Sequence, residues 1–241
     1  MALFIPEWTR ASGRQLQLKR VLNALDEATV VRKPLGEHLE APELFVEHGE
    51  RGWLALALVD TPFDALDAGQ LFASEARAAF EARLAAWRAV LPPGLPLLVL
   101  LWACSEDEAL ALARQLGEQP MLRLLSRERF LERGAPGLAA LQRPIASEEA
   151  DALRTRFFPE SAIPLAVARR RFRRDNAASL PGLFLDAQQE WASKLDLDVD
   201  TALPEEQAQT AHDFAVRLVN GVAGSGKTLI ALSRALLLAG L

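Results

Sequence analysis

Cysteine, histidine and lysine are all scarce in this chain. Cys104 is the only cysteine among 241 residues, so there is no disulfide framework and no cysteine set for zinc. His38, His48 and His212 are the three histidines. None is spaced as a metal pair, which argues against metal chemistry by imidazole. Arginine outnumbers lysine 23 to 4, a bias that points to a GC-rich bacterial genome and carries no function. Long apolar runs are missing too. The longest, residues 95–104, is half of the ~20 residues a membrane span needs, so no membrane partner is expected. The amino terminus has no basic segment followed by an apolar one, so a cytoplasmic, reducing location is expected. An excess of positive charge is also absent. The balance of 27 basic and 32 acidic residues gives a net charge of -5. That excludes a wholly basic nucleic-acid binder but leaves room for a local basic patch.

What is present is enough apolar material for a core. Hydrophobic residues make up 50% of the chain and charged residues 24%, so disorder throughout is excluded. The first 145 residues read as alternating helix and strand. Ser12 can cap a helix whose Leu18, Val21, Leu22 and Leu25 recur at helical spacing. Strands are predicted over residues 28–33, 42–48 and 53–59, and three in a row suggest an antiparallel meander. A long helix follows from Ser74. Phe80, Leu84, Trp87 and Leu91 form its apolar stripe, and Arg77 and Glu81 pair at i, i+4. Residues 95–102 are almost purely apolar, as in a strand buried on both faces. Ser105 and Glu108 make a capping box for a helix ending near Gly117. A last strand is expected over residues 121–125. A helix from Ser126 and a loop with Gly134, Pro136 and Gly137 close the unit. This order describes an α/β domain with a mixed central sheet and flanking helices.

From about residue 146 the character changes. A helix opened by Ser147 is followed by a short basic run. Asp186 can cap a further helix, and residues 195–208 are acidic and poor in core side chains, as in a linker. Residues 214–221 read as a strand that runs into a glycine-rich turn and then an apolar helix. Three parts result: residues 1–145, a basic helical connector over 146–182, and residues 183–241.

Residues 221–228, GVAGSGKT, fit G-x-x-x-x-G-K-[ST] at every fixed position. With 14 glycines and four lysines in the chain, a chance match is on the order of one in a thousand for that pattern. Gly221, Gly224 and Gly226, with Ser225 between them, let the backbone form a cradle whose N–H groups point at phosphate oxygens. The helix start adds partial positive charge. Lys227 is placed to reach the β- and γ-phosphates, and Thr228 to ligate Mg²⁺. The bland alternative is a tight glycine turn followed by a surface lysine.

In this setting AGSGKT resembles the phosphate loop of superfamily I helicases of the UvrD/Rep type. The resemblance covers about residues 183–241. It implies a RecA-like domain beginning with a strand, phosphate loop and helix, with ATP and Mg²⁺ as cofactors and DNA as partner. These helicases carry an upstream L-N-x-x-Q element whose glutamine reads the adenine edge. Leu185, Asp186 and Gln189 stand at that spacing, with aspartate in place of asparagine. The same D-x-x-Q spacing is also an ordinary helix capping box.

The order of the first domain resembles the PD-(D/E)XK nuclease core, in the form of the nuclease-related domain that precedes some bacterial helicase cores. The resemblance implies a restriction-endonuclease-like sheet with an acidic residue on the second strand and E-x-K on the third. Glu43 falls near the first acidic position. Ala57 and Val59 stand where E-x-K belongs, and Gly13-Arg14 where Gly-Glu is frequent. Neither Ala57 nor Val59 can ligate a metal or move a proton, so a degenerate, inactive nuclease site is expected and no catalytic residue is assigned.

Arg169, Arg170, Arg171, Arg173 and Arg174 form the one strong basic run, with Phe172 among them. They can neutralise phosphates while the ring stacks on a base, or form a solvated face opposite the acidic stretch. The sequence therefore leads to the expectation of an N-terminal portion of an ATP-dependent DNA helicase or translocase, one that binds nucleotide but does not hydrolyse it alone. The alternative is a non-enzymatic DNA-binding or protein-interaction module with a vestigial phosphate loop.

Overall fold

The computed structural model describes residues 1–8, 13–35, 41–59, 74–163, 183–195 and 226–240. The chain folds as two compact units, Met1–Leu3 with Ser12–Leu153 and Phe4–Ala11 with Arg154–Leu241.

The sheet has six strands in chain order, β1 (Leu3–Ile5), β2 (Thr29–Arg32), β3 (Leu44–His48), β4 (Gly52–Val59), β5 (Leu97–Leu101) and β6 (Leu122–Ser126), and β2 to β6 belong to the first unit. Strands β2, β3 and β4 form the expected antiparallel meander, whereas β4, β5 and β6 are parallel. The short β1 has no counterpart in the sequence reading, because three residues are too few to show a period. Every residue of β4 and β5 is buried. That follows from a continuous apolar sequence placed where both faces are covered.

The helices are α1 (Gly13–Asn23), α2 (Ser74–Val90), α3 (Glu106–Leu116), α4 (Arg127–Leu141) and α5 (Ser147–Phe157). Phe80, Leu84, Trp87 and Leu91 of the α2 stripe are buried, and Arg77 Nε donates to Glu81 Oε1 at 2.7 Å across one turn. The α3 capping box forms with both of its hydrogen bonds. Three acidic residues in the first turn complement the helix dipole, and Gly117 at φ 74° ends the helix. Ser126 caps α4 by accepting from the Arg129 N–H.

One local expectation is corrected. The stretch with Gly134, Pro136 and Gly137 is not a loop but part of α4, kinked where Gly134 takes φ 55°. A glycine in that conformation and a proline without an N–H interrupt the bonding for a turn, and the proline then serves as a helix start. The helix opened by Ser147 forms as expected, and Glu149 accepts from the N–H of Ala146 at 3.1 Å just ahead of it.

The β3–β4 hairpin is tied down at its turn. Arg51 donates to Asp26 Oδ2 (2.7 Å), to Thr29 Oγ1 (3.0 Å) and to Gln142 Oε1 (2.8 Å). His48 Nδ1 accepts the N–H groups of Glu50 and Arg51, both at 3.1 Å. That leaves Nε2 as the ring atom facing Asp26, at 3.4 Å. Trp53 and Arg143 exchange two backbone hydrogen bonds, at 2.7 and 3.0 Å, which pin the end of α4 to the start of β4. Gly52 is required at that crossing. Its φ is +88°, and a Cβ there would lie 2.0 Å from the Arg143 carbonyl oxygen.

Gly52→Ala is therefore expected to destabilise the protein by on the order of 3 kcal/mol, from backbone strain and a clash with main chain that cannot yield. Gly49→Ala, with nothing within 4 Å, should stay within about 0.5 kcal/mol of the parent. Urea unfolding of the two variants checks the contrast.

A second prediction concerns acid. The Arg51 guanidinium holds the Asp26 carboxyl down at about 2, against an ordinary value of 3.8. A carboxylate whose folded value is depressed adds stability above its ordinary value and loses it as the pH falls toward the folded one. Wild type is expected to exceed Asp26→Asn in stability at about pH 5, with the gap closing toward pH 2. A gap that stays constant across that range in urea titrations would remove the ion pair from the account.

Candidate functional site

The second unit holds the described part of the phosphate-loop region. Its elements are the last turn of α5, a 3-10 turn (Pro159–Ser161), α6 (Ala187–Ser193) and α7 (Lys227–Gly240). Residues around the 3-10 turn pair with those before α6: the Ile163 N–H donates to Leu183 O at 2.7 Å, and the Leu185 N–H to Ser161 O at 2.8 Å. This short antiparallel crossing delivers Asp186 to the start of α6.

Asp186 and Gln189 form a complete capping box. Asp186 Oδ1 accepts from the Gln189 N–H at 2.8 Å, and Gln189 Oε1 accepts from the Asp186 N–H at 3.3 Å. The local reading of D-x-x-Q thus describes the geometry of α6. It does not exhaust what Gln189 touches. Gly226, at φ +80°, lies so close that a Cβ on it would meet Gln189 Nε2 at 2.9 Å. The upstream glutamine and the last glycine of the phosphate-loop motif are therefore neighbours in space, 37 positions apart in sequence.

Gly226 is also where α7 begins. Its carbonyl accepts from the Ile230 N–H at 3.0 Å, the first bond of the helix. By helix geometry the N–H groups of the first turn point out of that end, and the dipole makes it positive. Lys227 is half-buried and Thr228 exposed there, while Leu229 and Ile230 are buried. A positive φ, a helix start, a lysine, a hydroxyl and an amide are gathered within a few residues of each other. Such a set suits an anionic ligand with a hydrogen-bonding ring beside it.

Two features of the surroundings were not anticipated. Lys194 is 1% exposed, and its Nζ donates to Glu190 Oε1 at 2.7 Å and to Glu160 Oε1 at 2.5 Å. The same ammonium lies 5.7 Å from the centre of the Phe158 ring. The i, i+4 spacing of Glu190 and Lys194 was visible in sequence, but Glu160 is brought in from 34 positions away. Farther along α7, Arg234 Nη1 donates to Ser193 O at 3.0 Å and Leu195 O at 2.7 Å. An arginine on an otherwise apolar helix was the available signal. Gln189 meets the start of α7 and Arg234 meets the end of α6, so the two helices run side by side in the same sense.

Other expected residues fare differently. Gly221, Gly224 and Ser225 lie outside the described residues. So do Arg169, Arg170, Arg171, Arg173 and Arg174, the acidic stretch from residue 196 onward, and the expected strand over 214–221. In the first unit Glu43 is exposed, one residue ahead of β3. Ala57 and Val59 are buried in β4, beside Val99 and Leu101 of β5. On β2 and β3 the buried Arg32 pairs with Glu47, and its guanidinium lies over the Trp53 ring. Burial pushes the Cys104 thiol up to about 11, so it is no nucleophile at neutral pH. Among the described residues no group of three or more His, Cys, Asp or Glu side chains could hold a metal ion, and no helix is long and apolar enough to cross a membrane.

Comparison with protein-family models, with curated proteins and with solved structures finds no match to this chain.

The close approach of Gln189 to Gly226 can be measured. Gly226→Ala is expected to cost on the order of 1–2 kcal/mol, from strain at positive φ and displacement of the glutamine amide. Gln189→Ala relieves the second part only, so a double-mutant cycle should return a coupling of about 0.5 kcal/mol or more. Additive effects in thermal or urea unfolding would mean that the two residues do not touch.

Proposed function

We propose that the second unit binds a purine nucleoside triphosphate with Mg²⁺, ATP in the first place, as the nucleotide-binding element of a DNA helicase or translocase of the superfamily I kind. The observation that carries this reading is the juxtaposition of Gln189 with Gly226 at the start of α7. A chance G-x-x-x-x-G-K-T turn has no reason to meet a capping-box glutamine from an earlier segment. A nucleotide site does need a base-facing amide near its phosphate cradle.

In this reading Gly221, Gly224, Ser225 and Gly226 supply backbone N–H groups to the phosphates. Lys227 neutralises the β- and γ-phosphate charge, and Thr228 ligates the Mg²⁺ that comes with the nucleotide. Gln189 faces the base. Its amide offers donors from Nε2 and a remaining lone pair on Oε1, the pair of functions an adenine edge asks for. The exposed Thr228 and half-buried Lys227 leave the helix mouth open to a ligand.

The order of α1, the β2–β4 meander, α2 and the parallel β5 is that of the restriction-endonuclease-like core, and it supports reading the first unit as a nuclease-related domain. Ala57, packed beside Val99, leaves neither a ligand nor room for one at the place where catalysis would need it. The unit then serves as a scaffold, and DNA contact falls to the arginines at 169–174.

Calorimetric titration of Mg-ATP into wild type and Lys227→Ala tests the proposal. Wild type is expected to bind, and the variant to lose at least about ten-fold in affinity because the phosphate charge loses its main partner. Equal binding by both proteins, or none by wild type, would take the phosphate loop out of the argument and favour a non-enzymatic interaction module.

A further inference from the structure

We propose that Arg234 is a positioning residue that sets the base-facing helix α6 in register with the phosphate-facing end of α7. The proposal rests on the nucleotide reading above and extends it to a residue outside the phosphate loop and outside the L-D-x-x-Q element.

Helix α6 is short. It has seven residues, two turns, and such a helix has little orientation of its own. Its capping box is internal, because both hydrogen bonds join Asp186 to Gln189. The box fixes the glutamine rotamer relative to α6, not the place of α6 relative to α7. The Glu160–Lys194–Glu190 cluster ties α6 to the 3-10 turn. Arg234 is different in kind, since its guanidinium leaves α7 and ends on the main-chain oxygens of Ser193 and Leu195. These are carbonyls at the carboxyl end of α6, where the helix dipole is negative and a cation is favoured.

Geometry gives that anchor its leverage. Arg234 lies eight residues beyond Gly226 on α7, about 12 Å at 1.5 Å per residue. Gln189 meets Gly226 at one end of this span, and Arg234 holds Ser193 and Leu195 at the other. On α6 the two held points, Gln189 and Ser193, lie four residues apart, about 6 Å. Released at the far point, a swing of about 10° moves one end by about 1 Å relative to the other. A misplacement of that size is enough to lose a directional interaction with a bound base. It leaves Gly226 and Lys227 in place, because they belong to the start of α7 itself.

The separation of base from phosphate gives the test. Mg-ATP and Mg-tripolyphosphate are titrated calorimetrically into the full chain as wild type, Gln189→Ala, Arg234→Met and Arg234→Lys. Tripolyphosphate carries the charge and lacks the base. Wild type is expected to prefer ATP, by about ten-fold or more. In Arg234→Met the ATP affinity should fall to the level of Gln189→Ala, while tripolyphosphate changes by less than about two-fold. Arg234→Lys, which keeps a charged donor within reach of the same carbonyls, should restore most of the preference. Arg234→Gln serves the same comparison if Arg234→Met does not fold. A parallel loss for both ligands would make Arg234 merely structural and overturn the proposal, as would an unchanged ATP preference in Arg234→Met. Binding of neither ligand by wild type would overturn the nucleotide reading itself, and this inference with it. Binding of both with equal affinity would leave the phosphate site standing and remove base recognition.

Discussion

Strand β4 cannot exist alone. It presents eight consecutive buried residues, so both faces need cover and both edges need partners. Much of the first unit meets that demand. A tight hairpin supplies β3 on one edge, and the α2 crossover brings β5 to the other in parallel. The start of the strand is where the constraint is tightest. Trp53 shares its backbone bonds with Arg143, and Gly52 leaves no space for a side chain. Arg51, next in line, gathers Asp26, Thr29 and Gln142 around the same corner. The turn is therefore held by residues from β2, from the loop before it and from the end of α4.

The same constraint bears on chemistry. Phe45, Ala55 and Leu97 lie side by side across three strands, and Ala57 lies beside Val99. Small residues there admit close packing. A carboxylate or lysine in their place would be a buried charge, tolerable only with a metal or a partner. The centre of the sheet is apolar, and the Arg32–Glu47 ion pair lies on β2 and β3, with the Arg32 guanidinium over the Trp53 ring.

In the second unit one side chain meets two requirements. Gln189 completes the start of α6 through its carbonyl oxygen and faces Gly226 with its nitrogen. Capping and the close approach to Gly226 are compatible, because an amide has two ends. Glycine at 226 is needed twice over, for its positive φ and for the space the amide occupies. Lys194, enclosed by Glu160, Glu190 and the Phe158 ring, ties the end of α6 to the 3-10 turn. A buried ammonium of this kind is stable only while its partners stay in place.

What could be seen in the sequence was whatever neighbours within about four residues decide. Both capping boxes, Ser105 with Glu108 and Asp186 with Gln189, form as their spacing implied. So does the Arg77–Glu81 pair, and so does the fully buried β5. Local rules failed where two of them competed. At Gly134 and Pro136 the breaking residues suggested a loop, but the helix resumes at once. The motif over 221–228 was legible as a pattern of residue types, since glycine, lysine and threonine at fixed spacing need no tertiary context to be recognised. The tertiary structure decided the rest, through partners 34, 41 and 91 positions apart: Glu160 with Lys194, Ser193 with Arg234, Arg51 with Gln142. Spacing along a chain fixes which side chains share a helix turn or a strand face. Which turns and faces meet is settled only when distant segments bury their apolar surfaces together, and it is that burial which brings Gln189 against Gly226.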